Sequence, residues 1–210
     1  INSTGNGTVN IAGAQITTGA TNANNDGSDA GLVTIDTATG TLTVKGSITA
    51  DGGTSTFGGT GDAGDAANIT LTSTGSTINL DSADINAIAG VPSNFANPVQ
   101  TGRPGSGGNV RFAGAVLLTN AGNGTVGSTT TIDTVRGNNP AVLQYAGASG
   151  DVTFTSTVNG NDRLTITTGF TDPSKVSSAG GDVLFNGAVG SNIPLGLVTI
   201  NSAETITSNG

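Results

Sequence analysis

The side chains best equipped for chemistry in this chain are its 14 aspartates and glutamates. It has no histidine, no cysteine and only six Lys and Arg residues in 210. That set excludes Ser-His-Asp and Cys-His relays and the usual transition-metal ligands. A serine nucleophile would need a lysine as its base, and Lys45 and Lys175 sit in no motif. The acids do occur in close pairs, Asp62 with Asp65 and Asp81 with Asp84. Glycosidases need two positioned carboxyls, and lyases built on β-helices set carboxylates beside Arg or Lys in a groove. The competing role is turn formation, since an Asp side chain bonds readily to nearby backbone. That role suits Gly-rich surroundings better, so no catalytic residue is assigned and the chain is not expected to be an enzyme.

Calcium is the metal that oxygen ligands alone could hold. GGTGDAGDA (58–66) is close to the Gly/Asp nonapeptide GGxGxDxUx of calcium-binding β-rolls. It differs in having Ala63 at the sixth position, and it occurs once rather than in tandem. Asp62 and Asp65 there, and Asp26 and Asp29 in NNDGSD (24–29), are weak calcium candidates, with a solvated loop as the expected state. No cofactor is expected. Thr-x-Thr steps (Thr41-Thr43, Thr70-Thr72, Thr153-Thr155, Thr165-Thr167) raise ice binding, but Thr is also a common outward residue of strands, and uneven spacing weakens a flat array. Asn2, Asn6, Asn68 and Asn123 match N-x-[ST], as chance allows in a chain so rich in Asn and Thr.

What must position these groups is a phrase that the chain repeats: GNVRFAGAV (108–116), GDVTFTSTV (150–158) and GDVLFNGAV (181–189), with looser copies from Val9, Leu42 and Ile69. Val110, Phe112, Gly114 and Val116 share one parity, and Arg111, Ala113 and Ala115 the other, which is the alternation of a half-buried β-strand. The copies begin at 9, 42, 69, 110, 152 and 183, giving intervals of 33, 27, 41, 42 and 31. Repeats of this length with elastic connectors indicate a β-solenoid rather than a propeller. Asn-Gly pairs would serve an antiparallel sandwich, the rival fold, but tandem sandwiches would not repeat near 30 residues.

The expected architecture is therefore all-β, one parallel β-solenoid over residues 1–210 with irregular corner loops. Its inner ladder should be Val110, Phe112 and Val116 over Val152, Phe154 and Val158 over Val183, Phe185 and Val189. Gly46, Gly114, Ser156 and Gly187 would mark corners, where backbone approaches the core. Further strands are expected at 32–35, 41–48, on both sides of Gly75 within 67–80, and at 129–135, 141–147, 164–167 and 197–200. Ser82 as a helix cap with Ile85 and Ile88 at helical spacing predicts one short helical excursion near 82–91.

Composition sets the outer bounds. Gly numbers 35, aromatics are 3% and charged residues 10%, against roughly 25% charged in an ordinary domain. Many thin cores stacked in series suit so few aromatics. A net charge of -8 with scattered cations makes nucleic acid and anionic membrane poor partners. No run approaches the roughly 20 apolar residues of a membrane span. A chain that starts at Ile and lacks Met reads as an excised or processed piece of something longer.

The run GDVTFTSTVNGNDRLTITTG…GGDVLFNGAVGSNIPLGLVTINSA resembles the strand-repeat regions of giant Gram-negative and cyanobacterial exoproteins, similar in style to filamentous haemagglutinin and autotransporter passenger domains. The resemblance is strongest over 108–210. It implies a right-handed parallel β-helix on the bacterial cell surface or outside the cell, used as a stalk, adhesive fibre or matrix filament, with no shared catalytic residues. The leading expectation is a structural segment that stacks end to end on copies of itself or on flanking repeats. The alternatives are an adhesin whose loops at 82–105 and 170–180 bind glycan or a host surface, and a polysaccharide-acting enzyme.

Overall fold

The computed structural model describes residues 1–3, 8–12, 15–18, 26–55, 61–92, 102–119, 128–137, 147–169 and 180–210. Among these the chain is all-β, and every strand pairing is parallel. The strands build one ten-stranded and one six-stranded sheet in a solenoid-like order, each pass of the chain adding a rung beside the last. A parallel pair cannot be closed by a tight hairpin, so the connections must cross from one sheet to the other, which is what alternating membership of the two sheets records.

Registers line up like with like. In the larger sheet Val33, Ile69, Val110, Val152, Val183 and Ile206 form one column, and Ile35, Leu71, Phe112, Phe154 and Phe185 the next. The three rings are face to face, with centroids 4.7 and 4.9 Å apart and planes 6° and 2° from parallel. These distances equal the spacing of neighbouring strands, about 4.8 Å, so the sheet itself sets the stack. In the smaller sheet one column is isoleucine throughout: Ile16, Ile48, Ile85, Ile132, Ile166 and Ile200. A single apolar cluster joins residues of both sheets.

Four expectations change. Val189, expected in the inner ladder above Val158, is 37% exposed and meets that column only through an isolated bridge, because the strand Val183–Phe185 has already ended. Residues 82–91 hold no helix: Asp84–Asn86 is a strand of the smaller sheet. Ala83, Ile85, Ala87 and Ala89 are buried in alternation, a period of two that the Ile85/Ile88 spacing had masked. Residues 67–80 form no pair of strands; Ile69–Asp81 is one element, with a register shift between Thr72 and Thr77 opposite Gly114. Finally, the six copies of the phrase do not share one column. Val9 and Leu42 stack on Ile78, Val116 and Val158, and so align with the second half of the phrase. The two halves have the same apolar-x-apolar pattern, so a short copy such as Leu42-Thr43-Val44 fits either. For the same reason the identical LVTI segments part company: Val33–Thr37 lies in the larger sheet and Leu197–Asn201 in the smaller. The expected strand over 141–147 and the loop over 170–180 lie outside the described residues, apart from their end residues, and so do Lys175 and residues 93–101.

Candidate functional site

Asp26, Asp29, Asp62 and Asp65 lie along the outside of this stack, at the corners before strands. Asp26 and Asp62 occupy one column and Asp29 and Asp65 another. Asp26 Oδ1 accepts the N–H of Asp62 (3.0 Å), and Asp62 Oδ1 accepts that of Arg103 (2.7 Å). Asp29 Oδ1 accepts from Asp65 (2.8 Å), and Asp65 Oδ1 from Ser106 (2.6 Å). A third column escaped the sequence reading. Asn68 Oδ1 accepts from Asn109 N–H, Asn109 Oδ1 from Asp151 and Asp151 Oδ1 from Asp182, at 2.8, 2.7 and 2.8 Å. Asp182 in turn accepts from the Thr205 hydroxyl.

Apart from Asp182, each side chain thus reaches the next rung and takes a main-chain donor that the corner would otherwise leave unpaired. The signal was present in the spacing. Partners are 36 residues apart in the first step, 41 in the next, then 42, 31 and 23. The third column is the Asn or Asp in second place of each phrase, just before Val110, Val152 and Val183.

The turn-forming role of these acids is therefore exercised between rungs rather than within one loop. Among the described residues no three acidic, His or Cys side chains converge on a point that could hold a metal. The ladder assigns a direct test. Asp65→Ala removes the acceptor of Ser106 N–H and should cost about 1 kcal/mol. Asp65→Asn keeps Oδ1 and should stay within about 0.5 kcal/mol of the wild type. Urea midpoints at unchanged slope read both, and equal losses in the two variants would contradict the ladder.

The second pair separates. Asp81 is buried and carries an ion pair to Lys45, 3.2 Å away on the preceding rung. Asp84 is exposed on the outer face of the smaller sheet. There it meets a different set of acids. Thr17, Thr49, Asn86, Asp133, Thr167 and Asn201 form an outer column beside the isoleucines, and Asp51 lies just past the end of Ser47–Thr49.

Partial burial pushes the Asp133 carboxyl above the ordinary aspartate range; Asp84 pushes the same way, and the Thr167 hydroxyl opposes. Partial burial likewise raises Asp51. The Ile88 N–H, 2.8 Å from its Oδ1, opposes that rise, and Asp84 and Asp133 add to it. In both cases the folded state holds the proton more tightly than the unfolded chain. Stability from these groups is therefore greatest below the unfolded-state pKa and falls as pH rises through the raised folded values. Asp133→Asn should leave stability at low pH unchanged and raise it at neutral pH. Thermal unfolding from pH 3 to 7 reads this, and a variant less stable than wild type at pH 7 would contradict it.

Where Ile69–Asp81 shifts register, an open groove of about 580 Å³ runs past Thr74, Gly75, Thr77, Ala115 and Thr155. Its walls are small and hydroxyl-bearing. No family model matches the chain, and no curated protein or solved structure matches it either.

Proposed function

We propose that this chain is a shaft segment of an extracellular bacterial fibre or surface stalk, wound as a right-handed parallel β-helix like the exoprotein repeats it resembles. One observation carries the reading: the same residue types recur in column after column. Isoleucine stacks on isoleucine, phenylalanine on phenylalanine and Asx on Asx, at steps as different as 31 and 42 residues. Such columns make each rung a template for the next, so length can be added without a new core.

Such a segment would stack end to end on a flanking repeat of the same chain or on a second copy, whose strands continue the two parallel sheets. No enzymatic role is proposed.

The test is electron microscopy of purified protein at neutral pH, with and without a calcium chelator. Filaments a few nanometres wide, with an axial repeat of about 4.8 Å that survives chelation, are the expected result. Monodisperse short particles at every concentration would overturn self-assembly. Short particles that bind glycan arrays would favour the adhesin instead.

A further inference from the structure

Two orphaned oxygens lie on neighbouring inner positions of the smaller sheet. Asp162 is 1% exposed. Its Oδ1 accepts a hydrogen bond from Ser128 Oγ at 2.8 Å, while its Oδ2 meets no hydrogen-bonding partner among the described residues. Thr130 is 0% exposed, and its Oγ1 is equally unpartnered. Register sets the two on a diagonal of neighbouring passes. Arg163 N–H donates to Ser128 O at 3.3 Å and Thr130 pairs with Leu164, so Ser128 sits beside Asp162 and Thr130 one inner position further along. Neighbouring strands are about 4.8 Å apart and alternate residues about 6.6 Å apart. Two oxygens so placed can face one small guest between them.

A buried carboxylate is costly unless a positive charge or further donors compensate it. The Lys45–Asp81 ion pair lies on other rungs. Asp162, Thr130 and Ser128 all offer hard oxygen donors, which favour hard cations over transition metals. They include one carboxylate, so a single positive charge balances them and a divalent ion would leave an excess buried charge. We propose that Asp162 Oδ2 and Thr130 Oγ1, with Ser128 Oγ beside them, form an inner-corner site for a monovalent cation of sodium's kind. Ser128 donates its proton to Asp162 and keeps a lone pair for the ion. The ion then ties the 128–133 and 162–167 passes together from inside.

The test is thermal unfolding of the whole protein in sodium chloride against choline chloride at equal ionic strength, with calcium chloride as a third arm. A cation bound only by the folded state raises Tm with its concentration, so the midpoint should climb with sodium and not with choline. Asp162→Asn should abolish the climb. Should that variant fail to fold, Thr130→Val retains the shape of the side chain and removes only the hydroxyl. It should lose most of the sodium-dependent rise, yet be at least as stable as wild type in choline, where the hydroxyl is a buried group without a partner. Identical midpoints in sodium and choline would overturn the site and leave a bound water in its place. A rise with calcium alone, or a full sodium response in Thr130→Val, would also overturn it.

Discussion

Phe154→Ala is expected to lower the unfolding free energy by about 4 kcal/mol. Phe154 is fully buried and its ring lies between two others, with centroids 4.7 Å from Phe112 and 4.9 Å from Phe185. Truncation therefore removes a large apolar group, leaves a cavity that a rigid parallel stack cannot collapse around, and breaks two ring contacts worth about 1 kcal/mol each. For a chain of this size a loss of that order lowers the melting midpoint by roughly 10 °C. Phe185→Ala should cost less, because its ring has a neighbour on one side and is 4% exposed. Calorimetry on the two variants checks the order. A loss below about 1 kcal/mol at Phe154 would mean that the ladder is not packed as described.

Gly105→Val should be as damaging for a different reason. At one corner, glycines from successive rungs lie backbone against backbone, and a Cβ on Gly105 would stand 2.0 Å from Gly64 O. Backbone is what it meets, so no side chain can swing aside. Forced separation of the rungs should cost about 3 kcal/mol or more and also disturb the Asp65–Ser106 bond next to it. Gly31 is the control, because a Cβ there would make an ordinary 3.5 Å contact with the Thr18 side chain. Soluble yield and urea midpoint should separate the two positions sharply. A Gly105→Val protein as stable as wild type would show that the rungs stand further apart at this corner.

Much of this arrangement was legible in the chain. The alternation in GDVTF and GDVLF identifies strands because a half-buried strand admits no other pattern, and Phe112, Phe154 and Phe185 are the same position of one phrase. What was not legible has two physical causes. Parity shows which face a residue takes but not which sheet it joins, so Leu42-Thr43-Val44 and LVTI were compatible with either. A two-residue coincidence can also imitate a helix: Ile85 and Ile88 are at helical spacing, although only Ile85 belongs to the inner column.

The isoleucine column was hidden because its members are 32 to 47 residues apart, from Ile16 to Ile200, with no constant step. Its signature was nonetheless local. Each of those isoleucines is followed by Thr, Asn or Asp, the residues that then form the outer column. The Asx ladders were visible as turn formers, but their acceptor role across rungs depends on a register that only the fold supplies.

Stretches 41 and 42 residues apart lie side by side in parallel. The chain has no cysteine of its own, so engineered pairs report without background. Arg111 and Thr153 are register partners on neighbouring strands of the larger sheet, and strand spacing puts their Cβ atoms within reach of a strained disulfide or a short bis-maleimide. Arg111→Cys with Thr153→Cys should crosslink rapidly within one folded chain, and Leu117→Cys with Thr153→Cys, offset by several residues along the strand, should not. The reverse order, or equal rates in both pairs, would contradict the parallel register on which the proposed shaft depends.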